Sequence, residues 1–347
     1  MTACNAWGTT AADRPLGPLT IERRDLRPED VAIDLTFCGV CHSDLHAARN
    51  DWGRTRYPFV PGHEIVGTVS AVGSGVTKFA PGDMVAVGTI VDSCRRCDAC
   101  TDGEEQYCRE GMVGTYNGTD RVDGTTTYGG YSKTMVVAEP YLLRIPAGLD
   151  PARAAPLLCA GITSYSPLKH WGVGPGSKVG VIGLGGLGHM GVKFAHALGA
   201  EVTMITTSPD KGDDALTLGA DHVLISTDRA AMKAATRSFD FLLDTIPVAH
   251  ELAPYLMLLD RQGTLCIVGA IDLLPSFHSG LLLGGQRAVS GSGVGGIAQT
   301  QEMLDLCAAE GIYPECEMIR MDEINHAFER MEKADVKYRF VIDLATL

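Results

Sequence analysis

Up to about residue 150, apolar and polar residues alternate in short runs: VAIDLTF (31–37), EIVGTVSAVGSGV (64–76), GDMVAVG (82–88) and YSKTMVVAEPYLLRIP (131–146). Period-two alternation bounded by glycine and proline predicts half-buried strands, and their succession predicts a β-rich, barrel-like unit. From about residue 155 the pattern changes. SKVGVIGLGGLGHMGVKFAHALGAEVTMITTS (177–208) reads as a buried strand, a glycine turn, a helix and a second strand, the βαβ unit of a parallel sheet. Strand-like runs recur at HVLIS (222–226), FDFLLDTI (239–246) and GTLCIVGA (263–270). After about residue 297 the chain reads helix, helix, strand, with the last strand free to return to the first unit. The expected organisation is therefore α/β in class: residues 1–154 and 297–347 form a β-rich domain, and 155–296 form a doubly wound Rossmann domain.

The chain of 347 residues is longer than one hydrophobic core usually grows, which agrees with two domains. A formal charge of −13 argues against a nucleic-acid partner, because phosphate binding needs a basic footprint. No apolar run reaches the roughly 18 residues of a membrane span, and MTACNAWGTTAADRP lacks a signal-peptide core, so a cytoplasmic protein is expected. In that compartment eleven cysteines stay mostly reduced, and their spacing is read for metals rather than disulfides.

Gly183, Leu184, Gly185, Gly186, Leu187 and Gly188 make a GxGGxG between an apolar strand and a helix, the context in which that motif binds a dinucleotide pyrophosphate. An NAD site would place an acid about 20 residues further on, at the end of the second strand. Thr206 stands there instead, followed by Thr207, Ser208 and Lys211, donors suited to a 2′-phosphate. NADP(H) is thus expected over NAD, with Asp210 as the dissenting charge. The same residues also suit a plain polar turn.

Cys94, Cys97, Cys100 and Cys108 offer four thiolates and no histidine, the set of a closed structural zinc, with Arg95 and Arg96 between them to offset negative charge. An iron–sulfur cluster uses the same ligand type, and that alternative stays open here. FCGVCHSDLH (37–46) holds two more cysteines and two histidines, a set that fits either a closed site of its own or a partial one completed from elsewhere in the chain.

The strings GVCHSD, PGHEIVG, the four-cysteine lobe, LLCAGIT and GLGGLGHMG occur in that order along nearly the whole chain. In this the sequence resembles zinc-dependent medium-chain alcohol dehydrogenases of the cinnamyl alcohol dehydrogenase group, particularly bacterial NADPH-dependent aldehyde reductases. The resemblance implies a GroES-like catalytic domain and a catalytic zinc on Cys41, His63 and Cys159, with Glu64 as an alternative ligand. Those positions, drawn from both expected domains, would put the metal between them, with a fourth position open to a substrate oxygen. It further implies Ser43 hydrogen-bonded to the substrate oxygen, His46 passing a proton outward, and Asp51 as the acidic partner of His46. Cofactor contacts are implied for Ser43, Thr163, Thr245, Gly269, Ser292, Gly293 and Val294. Gly114 and Gly293 replace aromatic residues of plant members, which implies a wide pocket taking aromatic and aliphatic aldehydes. A homodimer joined through the cofactor domain near SFHSGLLLGG (276–285) is implied by analogy. The leading reading is an NADPH-dependent aldehyde reductase working reversibly with primary alcohols. An NAD-preferring alcohol dehydrogenase and a non-catalytic NADPH-binding protein are the alternatives.

Overall fold

The computed structural model describes residues 1–269 and 273–347, and the chain divides into two compact units, Met1–Cys159 with Gly295–Leu347, and Ala160–Val294. Cys159 thus belongs with Cys41 and His63.

The first unit is built on a seven-stranded sheet. Its strands lie in the order Cys316–Arg320, Arg339–Asp343, Asp30–Val40, Ile65–Val72, Met84–Val87 and Leu143–Arg144, with Thr134–Ala138 paired to the first half of Asp30–Val40. All neighbours are antiparallel except Cys316–Arg320 against Arg339–Asp343. Asp30–Val40 is the spine: Val31, Ile33, Leu35 and Val40 are buried with Val69, Val85, Met135, Val137, Phe340 and Ile342. Register shifts after Ala32 and Leu35 interrupt its pairing with Ile65–Val72, and its end stays paired with Arg339–Asp343 up to Val40, directly before the Cys41 helix cap.

Beyond residue 297 the order is helix Ile297–Glu310, strand Cys316–Arg320, helix Ile324–Glu332, strand Arg339–Asp343. The sequence pattern missed Cys316–Arg320. That strand is a sheet edge with no buried residue, so its polar CEMIR sequence carries no apolar alternation. The last strand does return to the β-rich unit, pairing Phe340 with Val40. Gln301 caps the opposite edge, its side chain bonded to both the N–H and the carbonyl of Arg144.

The second unit is a six-stranded parallel sheet, in the order His222–Ile225, Glu201–Thr206, Lys178–Ile182, Phe239–Asp244, Leu259–Ile267 and Ala288–Gly291. Numbered along the chain this is 3-2-1-4-5-6, the doubly wound Rossmann order, with its switch point between Lys178–Ile182 and Phe239–Asp244. The run expected as a strand over 263–270 starts earlier, at Leu259, and ends at Ile267; Ala270 lies outside the described residues. Among the described residues no helix is long and apolar enough to cross a membrane.

Candidate active site

Cys41 caps the helix His42–Ala48 from extended backbone: its Sγ accepts from the Ser43 N–H at 3.5 Å, and Asp44 reaches back to the Cys41 N–H at 2.9 Å. This reciprocal cap fixes where the thiol points. Asp44 is wholly buried and accepts three further bonds, from the Gly62 N–H at 3.0 Å, His63 Nδ1 at 3.0 Å and the Tyr131 hydroxyl at 3.3 Å. With Nδ1–H donated to a carboxylate, the lone pair of His63 is left on Nε2, the arrangement that orients a metal-ligating imidazole. Tyr116 packs edge-on against the same ring at 5.4 Å. Asp44 carries no distinguishing signal in the sequence, since an acid in the first turn of a short helix is ordinarily a surface cap.

Cys159 ends the 3-10 turn Ala155–Leu158, and its Sγ lies 3.9 Å from that of Cys41. Donor atoms of Cys41, His63, Glu64 and Cys159 all fall within 4.8 Å of one another, and all four residues are buried. Two sulfurs each about 2.3 Å from a tetrahedral zinc would be about 3.8 Å apart, so the pair has the right bite. The donors, expected from both domains, all lie in the first unit. Cys38 is excluded from the cluster; it is a buried residue of the strand Asp30–Val40.

Glu64 is fully buried and pairs through Oε1 with Arg339, while its Oε2 has no hydrogen-bond partner. An orphaned buried carboxylate oxygen beside two thiols and an imidazole is a free acceptor for a cation. Burial pushes the Glu64 carboxyl up to about 7 against the pull of Arg339. Burial works against the Arg339 charge too, yet Glu64, Cys41 and Cys159 hold its pKa above the ordinary value. Cys41 is held well below the usual thiol value by its bond with Cys159, while that bond and burial raise Cys159. One thiolate is already favoured. Gly39 makes the close approach possible, because a Cβ there would stand 1.9 Å from Glu64 Oε2. Arg339, brought in by the last strand, is a second residue the sequence did not reveal.

Ser43 and His46 ride the same short helix, and His46 Nδ1 lies 2.7 Å from Asp51 Oδ2. Both members of that pair are partly exposed, at 37% and 44% of their side chains, so the imidazole can exchange protons with water. Trp52 lies beside the ring at 5.7 Å.

The four-cysteine lobe forms a second cluster, its Sγ atoms within 4.8 Å of one another. Cys94 to Cys100 is 3.8 Å and Cys97 to Cys100 is 3.5 Å, again the edge of a zinc tetrahedron. Backbone N–H groups of Cys94, Cys97 and Arg109 point at Sγ of Cys108, Cys94 and Cys97, and the Ser93 hydroxyl lies 3.1 Å from Cys100 Sγ. Such donors stabilise thiolates. Arg95 and Arg96, expected to offset the sulfur charge, instead pair with Glu29 and Asp92 and with Glu110. Arg121 reaches to 4.0 Å from Cys108 Sγ.

In the second unit the carboxyl edge of the sheet gathers the expected cofactor residues. Gly183 turns the chain at φ +91°, and a Cβ on Gly188 would lie 1.8 Å from the Gly183 carbonyl oxygen, so the helix Gly188–Ala197 packs only as glycine. A Cβ on Gly185 would meet nothing within 4 Å, leaving open space beside the backbone at that residue for an anion. Lys211 Nζ reaches back to the Leu184 carbonyl at 3.3 Å, which puts its cation beside the glycine turn. Thr206 is buried and its hydroxyl accepts from the Ser208 N–H, so it shapes the turn, whereas Thr207 is exposed. Thr245 donates to the Ile182 and Gly183 carbonyls; Ser292, Gly293 and Val294 follow the edge strand; buried Thr163 sits beside Ser164, whose hydroxyl donates to Leu187. A Cβ on Gly269 would lie 2.2 Å from the Ile246 carbonyl oxygen, a packing requirement sufficient by itself for glycine.

Both units match known families: residues 27–147 the alcohol dehydrogenase GroES-like domain, and residues 186–309 the zinc-binding dehydrogenase family. Aldehyde reductase YahK of Escherichia coli K12 is 54% identical over 346 residues, spanning 99% of this chain and 98% of that protein. A cinnamyl alcohol dehydrogenase structure from Sorghum bicolor superposes with a TM-score of 0.95 at 46% identity, covering 99% of this chain and 98% of that one. The Helicobacter pylori cinnamyl alcohol dehydrogenase complexed with NADP(H) gives 0.93 at 39%, covering 99% of each. The chain belongs to the zinc-binding, GroES-like alcohol dehydrogenase family, and is an oxidoreductase of that class.

Proposed function

We propose that the protein is an NADPH-dependent reductase of aldehydes, reversible toward primary alcohols, with one catalytic and one structural zinc per chain. The observation that carries this is the buried donor set of Cys41, His63, Cys159 and Glu64, which offers two thiolates and an imidazole and leaves Glu64 paired to Arg339. Zinc bound there supplies Lewis acidity toward a carbonyl oxygen, and the reduced nicotinamide supplies the hydride. The chain's own part is the proton. Ser43 donates to the substrate oxygen, and His46, steadied by Asp51, replaces that proton from solvent. Asp44 and Glu64 act through their neighbours, the one fixing the His63 tautomer and the other standing ready as a further ligand.

NADPH over NADH is supported by Lys211 beside the glycine turn and by the absence of an acid at position 206. The H. pylori relative was solved with NADP(H). Cofactor contacts are assigned to the glycine turn, Thr207, Ser208, Lys211, Thr245, Thr163 and the Ser292–Val294 segment. Glycine at 114 and 293 supports a wide pocket. A cytoplasmic homodimer is proposed with it, supported by the apolar 276–285 region, where Leu283 is 81% exposed. Following nicotinamide absorbance with cinnamaldehyde, benzaldehyde and hexanal, each with NADPH and NADH, tests the reading. Turnover with NADPH and kcat/KM values within about a hundredfold across the aldehydes are expected; faster turnover with NADH, or a thousandfold preference for one aldehyde, would reject the corresponding half.

A further inference from the structure

The helix Ile297–Glu310 begins without a cap of its own. Its N-cap is Gly296, which has no side chain to accept the N–H groups left open in the first turn. The acceptor comes instead from the four-cysteine lobe, 192 residues earlier: Glu105 Oε2 takes the Ile297 N–H at 3.1 Å. The lobe also closes on Gly296 itself, where a Cβ would stand 1.7 Å from the Gly103 carbonyl oxygen and 2.6 Å from Glu105 Oε2. A carboxylate at the positive end of a 14-residue helix is favoured by charge as well as by the bond. Backbone bonds tie both lobe residues to the sulfur ligands, the Gly103 N–H to the Cys100 carbonyl and the Cys108 N–H to the Glu105 carbonyl. The cysteine cluster therefore sets where this contact falls.

Directly before the contact runs Ser292–Val294, the segment to which dinucleotide contacts are assigned. The Ser292 N–H bonds the Ile267 carbonyl at 3.1 Å, so the sheet holds that end. Gly293, Val294 and Gly295 alone separate Ser292 from Gly296. Val294 sits at φ +45°, left-handed backbone that a β-branched residue takes only where its surroundings over-determine it. The glycines on either side supply no stiffness to keep it there. The lobe supplies the second anchor: with Gly296 and Ile297 fixed, the left-handed turn is retained instead of relaxing to the extended backbone that valine prefers. The rest of the helix has its own hold, through Gln301 on the Arg144 N–H and carbonyl and through buried Met303, Leu304 and Cys307. Loss of the Glu105 bond should thus loosen residues 293–297 without releasing the helix.

We propose that Glu105 is a positioning residue for the cofactor segment: by capping the helix at Ile297 it holds Ser292–Val294 in the form that binds the dinucleotide, and so links the four-cysteine lobe to cofactor affinity. The inference rests on the dinucleotide reading of Ser292–Val294.

The test compares wild type with Glu105→Ala, Glu105→Gln and Gly296→Ala, each checked by metal analysis for both zincs. Glu105→Ala should raise the Kd of NADPH, read by nicotinamide fluorescence, about tenfold, within the usual range of coupling between sites. Its kcat at saturating NADPH should change by less than about threefold, because the reacting groups are untouched. Glu105→Gln keeps an oxygen acceptor for the Ile297 N–H and gives up only the charge, so its Kd should stay within about threefold of wild type. Gly296→Ala leaves Glu105 and all four sulfurs unchanged but forces Gly103 away, and should weaken NADPH as Glu105→Ala does; it decides the question by itself where Glu105→Ala loses the lobe zinc. Hydrogen exchange without cofactor should be faster over 293–297 in both alanine variants and unchanged over 301–308. NADPH binding within about twofold of wild type in both alanine variants, or equal weakening by Glu105→Gln and Glu105→Ala, overturns the proposal. In wild type, NADPH should slow exchange over 292–294. No slowing there refutes the dinucleotide reading of the segment and the inference with it, whereas slowing with unchanged Kd in the alanine variants refutes the role of Glu105 alone.

Discussion

Replacing Asp44 by asparagine exchanges one of two carboxylate oxygens for an amino group in a place where every neighbour is arranged to donate. Oδ1 receives the Gly62 N–H and His63 Nδ1; Oδ2 receives the Cys41 N–H and the Tyr131 hydroxyl. Of the four, only the hydroxyl can rotate and accept, so the amide settles with its nitrogen on the Tyr131 side and faces the Cys41 N–H. One buried N–H is left unmet, a cost of about 1–3 kcal/mol to the fold. His63 keeps an acceptor, but a neutral one, and altering the partner of a ligating histidine lowers metal affinity about 10–100-fold, or about 1.4–2.7 kcal/mol. Asp44→Asn should therefore lower the urea midpoint and lose one zinc, the catalytic one, to a chromophoric chelator at concentrations that leave wild type intact. The second zinc should stay. A variant that holds both zincs within about twofold of the wild-type affinity, with an unchanged urea midpoint, would refute the role assigned to Asp44.

Cys41→Ala should reduce zinc from about two to about one per chain and abolish turnover, read by metal analysis beside the absorbance assay. Cys100→Ser should also lose one zinc, but the loss should show as a lower Tm and proteolytic cutting within residues 93–110, because that lobe contains few buried side chains. Lys211→Ala should raise the Kd of NADPH about 10–100-fold, the worth of a charge-assisted bond, and change that of NADH less than about threefold. His46→Ala should lower kcat by about a hundredfold near neutral pH with little change in zinc content, and flatten the pH profile of kcat; Asp51→Asn should produce a smaller loss of the same kind.

Local signals carried much of the fold. The change from period-two runs to a strand–glycine–helix pattern marks the two units, because each pattern is set by neighbours a few residues apart. The four-cysteine lobe is equally local, closing within Cys94 to Cys108, and so is the pairing of His46 with Asp51 across one helix end. FCGVCHSDLH illustrates the limit. Its two cysteines look equivalent in the sequence, but Cys38 packs within the strand while the helix cap aims Cys41, also buried, into the cluster with His63 and Cys159.

Partners brought from far along the chain have no signature in the sequence. Cys159 meets Cys41 across 118 residues, and Arg339 meets Glu64 across 275, through a terminal strand whose register alone sets the contact. Asp44 has no motif; its role comes from four donors on three separate segments converging on one buried carboxylate. The sequence alone determined which chemistry this chain can carry, because residue types and short spacings limit the ligands. The tertiary structure decided which of those residues act together, because burial and hydrogen-bond direction arise only once distant segments pack.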